Sequence, residues 1–119
     1  MNQKAGSKQY DLEERTFHFA KRVIMYVNSL PKTIGNIEVG RQLIRAAGSV
    51  GANYREANES LSKKDFTYRC KVCRKESKES IYWLRLSEPN KNRLQEQKEL
   101  IQEATEIMRI FGAIVTKCN

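Results

Sequence analysis

Six small residues, Ala46, Ala47, Gly48, Ser49, Gly51 and Ala52, crowd into the middle of a stretch that otherwise repeats like a helix. Each glycine inside a helix costs about 1 kcal/mol relative to alanine. A helix that carries this cost is expected to approach a neighbour closely, which small side chains permit. Leu43, Ala47, Val50, Tyr54 and Ala57 recur at spacings of three and four, so one face is apolar. The segment 37–59 is therefore read as the inner helix of an all-helical bundle.

The remaining punctuation divides the chain into three further helices. Residues 1–9 are polar and aperiodic and are read as a flexible tail ahead of one domain, residues 10–119. Helix one is expected from Leu12 to Ser29, with Asp11 and Glu14 in capping-box spacing and Pro31 ending it. Leu12, Thr16, Ala20, Val23, Ile24, Val27 and Leu30 line its apolar face, widened by Phe17, Phe19 and Tyr26. Asn36 is the expected cap of helix two. Ser62 with Asp65 caps helix three, expected from Lys63 to Glu88 and stopped by Pro89. Asn92 with Gln95 signals helix four, running to Lys117 with Leu100, Ile101, Ala104, Ile107, Met108, Phe111, Ile114 and Val115 on one face. No stretch reads as a strand. Four amphipathic helices with short connections predict an all-α, antiparallel up-down-up-down four-helix bundle. A helical hairpin that dimerises is the alternative.

The chain of 119 residues is long enough for one domain with a real core. No apolar run approaches the roughly 20 residues a membrane helix needs, and the N-terminus lacks an apolar signal-peptide core. The expected location is the cytoplasm, with no membrane partner.

The net charge is +8, which suits an acidic partner, nucleic acid first. Helix three holds half of it, with eight basic residues against four acidic ones. On a helical wheel, Phe66, Cys70, Cys73, Ser77, Ile81 and Leu84 form its core side. Lys71, Arg74, Lys75, Lys78 and Arg85 gather into one basic stripe, with Tyr82 inside it and Tyr68 at its edge. Cations follow a phosphate backbone and exposed aromatic rings stack on bases; a solvated face with tyrosines over the core edge is the plainer alternative. The opposite flank carries Val72, Glu76, Glu79 and Trp83, and helix two carries a polar stripe of Gln42, Arg45, Ser49, Asn53 and Glu56. These two sets are expected to form an oligomer interface or a polar network, within the chain or across subunits.

Catalytic patterns are thin. There are three cysteines and one histidine, His18. Cys70 and Cys73 form a CxxC without a second pair and are expected to be buried thiols. Ser49 lies in GSVG, not in a nucleophile elbow. Glu56 and Glu59 lack the histidine of a di-iron motif, and no phosphate-binding GxxxxGK[ST] occurs. No enzyme activity, metal or cofactor is expected.

Several segments together resemble a known family: YDLEERTFHFAKRV at Tyr10–Val23, QLIRAAGSVGANYREA at Gln42–Ala57, SKKDF at Ser62–Phe66 and KESKESIYWLRL at Lys75–Leu86. They are similar to the bacterial four-helix-bundle proteins named for 23S rRNA intervening sequences, over about residues 10 to 115. The chain also resembles a related bundle, the accessory variability protein of diversity-generating retroelements. The resemblance implies a four-helix bundle assembled as a homopentamer, and the related bundle is a basic barrel that binds nucleic acid and a reverse transcriptase. Arg45, Ser49, Asn53 and Glu56 match the family's recurring polar positions, whereas Ala57 stands where many relatives have glycine. The expected function is a non-enzymatic oligomer that binds structured RNA or DNA, RNA favoured, through the stripe. A protein-interaction scaffold without nucleic-acid binding is the alternative, and a metal or small-molecule site in the bundle interior is a third.

Overall fold

The computed structural model describes residues 4–118. Four helices follow one another: α1 (Lys4–Asn28), α2 (Ile34–Asn58), α3 (Lys63–Leu86) and α4 (Leu94–Cys118), the last entered through a single 3-10 turn at Lys91–Arg93. They form an antiparallel four-helix bundle in which each helix packs on its chain neighbours, α4 closes back on α1, and α1 and α3 lie on the diagonal. The α3 contacts with α2 and α4 are the most extensive, and the α1–α4 seam is the slightest.

Local chemistry explains most of the boundaries and corrects several expected ones. The polar tail expected over residues 1–9 lies outside the described residues at 1–3 and is helical from Lys4, so Asp11 sits inside α1 rather than capping it. Thr33, not Asn36, caps α2: its hydroxyl accepts from the Asn36 N–H at 3.0 Å. Ser62 caps α3 as expected, accepting from the Asp65 N–H at 3.1 Å. α3 ends at Leu86, before Pro89. Asn92 lies within the 3-10 turn and caps nothing.

The core is one contiguous cluster. α1 contributes Leu12, Phe19, Val23 and Tyr26, and the turn after it Leu30. Phe17 and Ile24, expected inward, are instead exposed on the outer side of α1. α2 contributes Leu43, Ala47, Val50, Tyr54 and Ala57, the expected set. Its close approaches are at Gly40, beside Val27, and Gly51, beside Thr16. Gly48, expected at such a contact, faces open space. Tyr54 meets Phe111 of α4 edge-on at 5.4 Å between centroids.

Candidate nucleic-acid interface

α3 has two chemically distinct sides because its sequence repeats with two offset periods. Cys70, Cys73, Ser77 and Leu84 are buried, with Phe66 and Ile81 partly buried beside them. Ser77 and Ser80 also lie inside, each donating its hydroxyl to the carbonyl one turn back, Cys73 O at 2.8 Å and Glu76 O at 2.9 Å. This satisfaction lets short polar side chains occupy a packed face.

Lys71, Arg74, Lys75, Lys78 and Arg85 are all exposed, as is Tyr82. Among the described residues Lys75 alone of these cations meets carboxylates, 3.7 Å from Glu79 and 3.9 Å from Glu76. Lys71, Arg74, Lys78 and Arg85 form no ion pair with a described residue, so their charge is directed to solvent. Tyr82 rests edge-on against Trp83, with centroids 5.0 Å apart and an interplanar angle of 74°. At physiological salt, fields decay over about 8 Å, so cations one turn, about 5.4 Å, apart reinforce one another.

The other flank of α3 faces α2 within the same chain. Arg45 donates to Glu79 at 2.9 Å and to the buried Glu76 at 3.4 Å, and to Gln42 at 3.5 Å. Asn53 donates to the Ser49 carbonyl and hydroxyl at 2.9 and 3.0 Å and accepts from Arg69 at 2.8 Å. Glu56 takes part through its backbone carbonyl, which accepts from the Ser60 hydroxyl and the Glu59 N–H. Val72 is half-buried, and Trp83 packs against the core with its indole N–H buried and unpartnered among the described residues. One edge of the cationic stripe is thus fixed by an acidic, internally paired border.

Sequence reasoning missed the long-range polar ties. Arg15 forms a fork with Glu103 at 2.8 Å on both nitrogens and reaches Glu106 at 2.7 Å, joining α1 to α4. These carboxylates hold the guanidinium charged, its pKa raised chiefly by Glu103. Tyr26 and Ser87 share a 2.6 Å hydrogen bond. Nothing in local spacing announces partners so far apart in the chain. Lys64, which continues the stripe to the start of α3, had a signal: it stands seven residues ahead of Lys71.

Among the described residues, the core thiols and the histidine weighed for catalytic chemistry lie apart from one another. Burial pushes the Cys70 thiol up to about 11 and the Cys73 thiol up to about 12, away from nucleophilic thiolate. Cys73 donates to Val50 O at 3.4 Å, as a core thiol does. His18 is exposed near Glu14. No group of three or more His, Cys, Asp and Glu side chains converges among the described residues. A cavity of about 580 Å³ draws its lining from all four helices, mainly Leu12, Tyr54, Phe66, Ile110 and Ile114, with Arg15 at its wall. No described helix is long and apolar enough to cross a membrane.

Comparison with known proteins places this geometry. No curated protein matches the chain. A crystal structure of a protein of unknown function from the S23 ribosomal protein family of Bacteroides thetaiotaomicron superposes with a TM-score of 0.75 at 24% identity, covering 92% of this chain and 98% of that one. That likeness establishes the shared bundle. The family model for the 23S rRNA-intervening sequence protein matches residues 8–113, nearly the whole bundle, and the chain belongs to that family.

Proposed function

We propose that this chain is a non-enzymatic, cytoplasmic, homo-oligomeric bundle protein that binds nucleic acid, RNA favoured, through the α3 stripe. The observation that carries this reading is the row of exposed cations Lys71, Arg74, Lys78 and Arg85, which no described carboxylate neutralises. Tyr82 in the same row adds a surface on which bases stack. The family's name refers to an rRNA, which favours RNA over DNA. Binding that neutralises about five phosphates gives a slope of log affinity against log salt near −3 to −5. Reversing Lys71, Lys75 and Lys78 to glutamate is expected to abolish most of that slope. A flat salt response, or unchanged binding by the reversed variant, overturns the reading.

Oligomerisation is supported by a second feature. Phe17, Ile24 and Met25 of α1 and Ile37 and Ile44 of α2 are exposed apolar side chains, and Ile37 and Ile44 line a groove with Val27 and Gly40. Exposed apolar surface of this kind suits a subunit or partner contact. It also favours the scaffold reading, in which the assembly presents a surface to another protein. A partner retained from nuclease-treated lysate supports the scaffold; loss of all partners on nuclease treatment supports nucleic-acid binding.

A further inference from the structure

The exposed side of α3 is more regular than a basic patch. Lys64, Lys71, Lys78 and Arg85 stand seven residues apart, and Tyr68, Lys75 and Tyr82 form a second row of the same period between them. Together they read Lys64, Tyr68, Lys71, Lys75, Lys78, Tyr82, Arg85, alternating steps of four and three, and every member is exposed. This is the spacing of a coiled-coil seam, but it is built from cations and tyrosines and turned outward. Seven residues rise about 10.5 Å, and the row from Lys64 to Arg85 spans about 32 Å with a slow rotation of about 20° per repeat. The rings are far from buried, Tyr68 at 62% exposure and Tyr82 at 56%. Neither is needed to fill the core.

We infer that α3 is a track for single-stranded nucleic acid, with Lys64, Lys71, Lys78 and Arg85 following the backbone and Tyr68 and Tyr82 as two base-stacking platforms. The inference rests on the nucleic-acid reading above and narrows it to one class of ligand. A duplex hides the faces of its bases inside its own stack, so rings set in the line of cations have nothing to stack on there. An unpaired strand, including a loop of a folded RNA, exposes those faces. Charge alone argues the other way: a duplex carries one negative charge per about 1.7 Å and is the better ligand for a plain cationic surface. A preference for single strands therefore has to come from the tyrosines. Tyr82 is already held at the required place by its edge contact with Trp83, which reduces what binding must order.

The test measures affinity of the full chain, at one fixed salt concentration, for a labelled unstructured RNA of about 20 nucleotides, a length that more than covers one track, and for the same strand annealed to its complement. The wild type is expected to bind the single strand more tightly. Tyr68→Ala and Tyr82→Ala are each expected to weaken single-strand binding by about five-fold or more while leaving duplex binding within about two-fold, and Tyr82→Phe is expected to keep the wild-type value. Lys71→Glu with Lys78→Glu weakens both ligands. A wild type that prefers the duplex, or tyrosine variants that bind the single strand normally while the lysine variant binds weakly, overturns the single-strand track and leaves nucleic-acid binding standing. A lysine variant that binds both ligands normally, or a wild type that binds neither, overturns both. Unchanged helical circular dichroism and melting of the tyrosine variants show that the loss is at the surface.

Discussion

A methyl group added to Gly40 would sit 2.8 Å from Val27 Cγ1, inside the distance at which something must move. Val27 is β-branched and stiff, so the helices must part slightly, and Gly40→Ala is expected to destabilise by about 1–3 kcal/mol. At Gly48 the same methyl meets nothing within 4 Å. Gly48→Ala is expected to stabilise by about 0.5–1 kcal/mol through helix propensity alone, and paired denaturant melts of the two variants check the opposite signs. The small-residue run showed that α2 is approached closely, but not where. Gly40 lies ahead of the run, and only the packing of α1 marks it as the tight point. The two core thiols make a second residue-scale case. Burial raises Cys70 from 9.0 to about 11 and Cys73 to about 12, so the fold holds the protonated form. Their contribution is complete below pH 9 and is lost as pH rises through 11 to 12. Stability is expected to fall over that alkaline window, and less steeply in a Cys70→Ala, Cys73→Ala pair compared against its own neutral-pH stability. At about pH 8, a thiol reagent is expected to reach the half-buried Cys118 first and the other two only on unfolding.

Between elements, one side chain ties two loops together. Asn36, buried in the first turn of α2, donates to Pro31 O at 2.9 Å and Glu88 O at 3.0 Å and accepts from the Glu88 N–H at 2.9 Å. The α1–α2 turn and the α3–α4 turn are thereby fastened at the same end of the bundle, beside the Tyr26–Ser87 hydrogen bond. Truncation leaves a buried N–H and carbonyls without partners, which costs about 1–3 kcal/mol. Asn36→Ala is expected to lower stability by that amount, while Thr33→Ala, which removes only the cap, costs about 1 kcal/mol; urea midpoints compare them. The contrast also shows what was legible. Helix number, order and most ends follow from Pro31, Pro89, Ser62 and the three-four repeats, because those signals act within one turn. Asn36 read as a cap because a cap and a cross-loop clasp look identical over four residues. Arg15–Glu103 was invisible for the same reason: its two halves lie on helices at opposite ends of the chain.

For the whole molecule, the wheel of α3 gave the sides correctly because burial against its own bundle is decided by the chain's own repeats. The stripe is outside and the cysteines inside. The apolar face expected for α1 went partly wrong at Phe17 and Ile24, which are exposed. Apolar periodicity marks a face that gains from being covered, without saying what covers it. That error is informative, because Phe17 and Ile24 lie seven residues apart on α1 and Ile37 and Ile44 seven apart on α2, two short apolar rows on the outer sides of adjacent helices. Such rows lose free energy in water and recover about 25 cal/mol per Å² when covered. Placed on α1 and α2, they leave the cationic side of α3 uncovered. Phe17→Glu with Ile44→Glu is therefore expected to shift the sedimenting species from oligomer to monomer at unchanged helical content, and to weaken nucleic-acid binding only through lost multivalency. A wild type that sediments as a monomer, or a double variant that keeps the oligomer intact, would place the subunit contact elsewhere and reopen α3 as its seat.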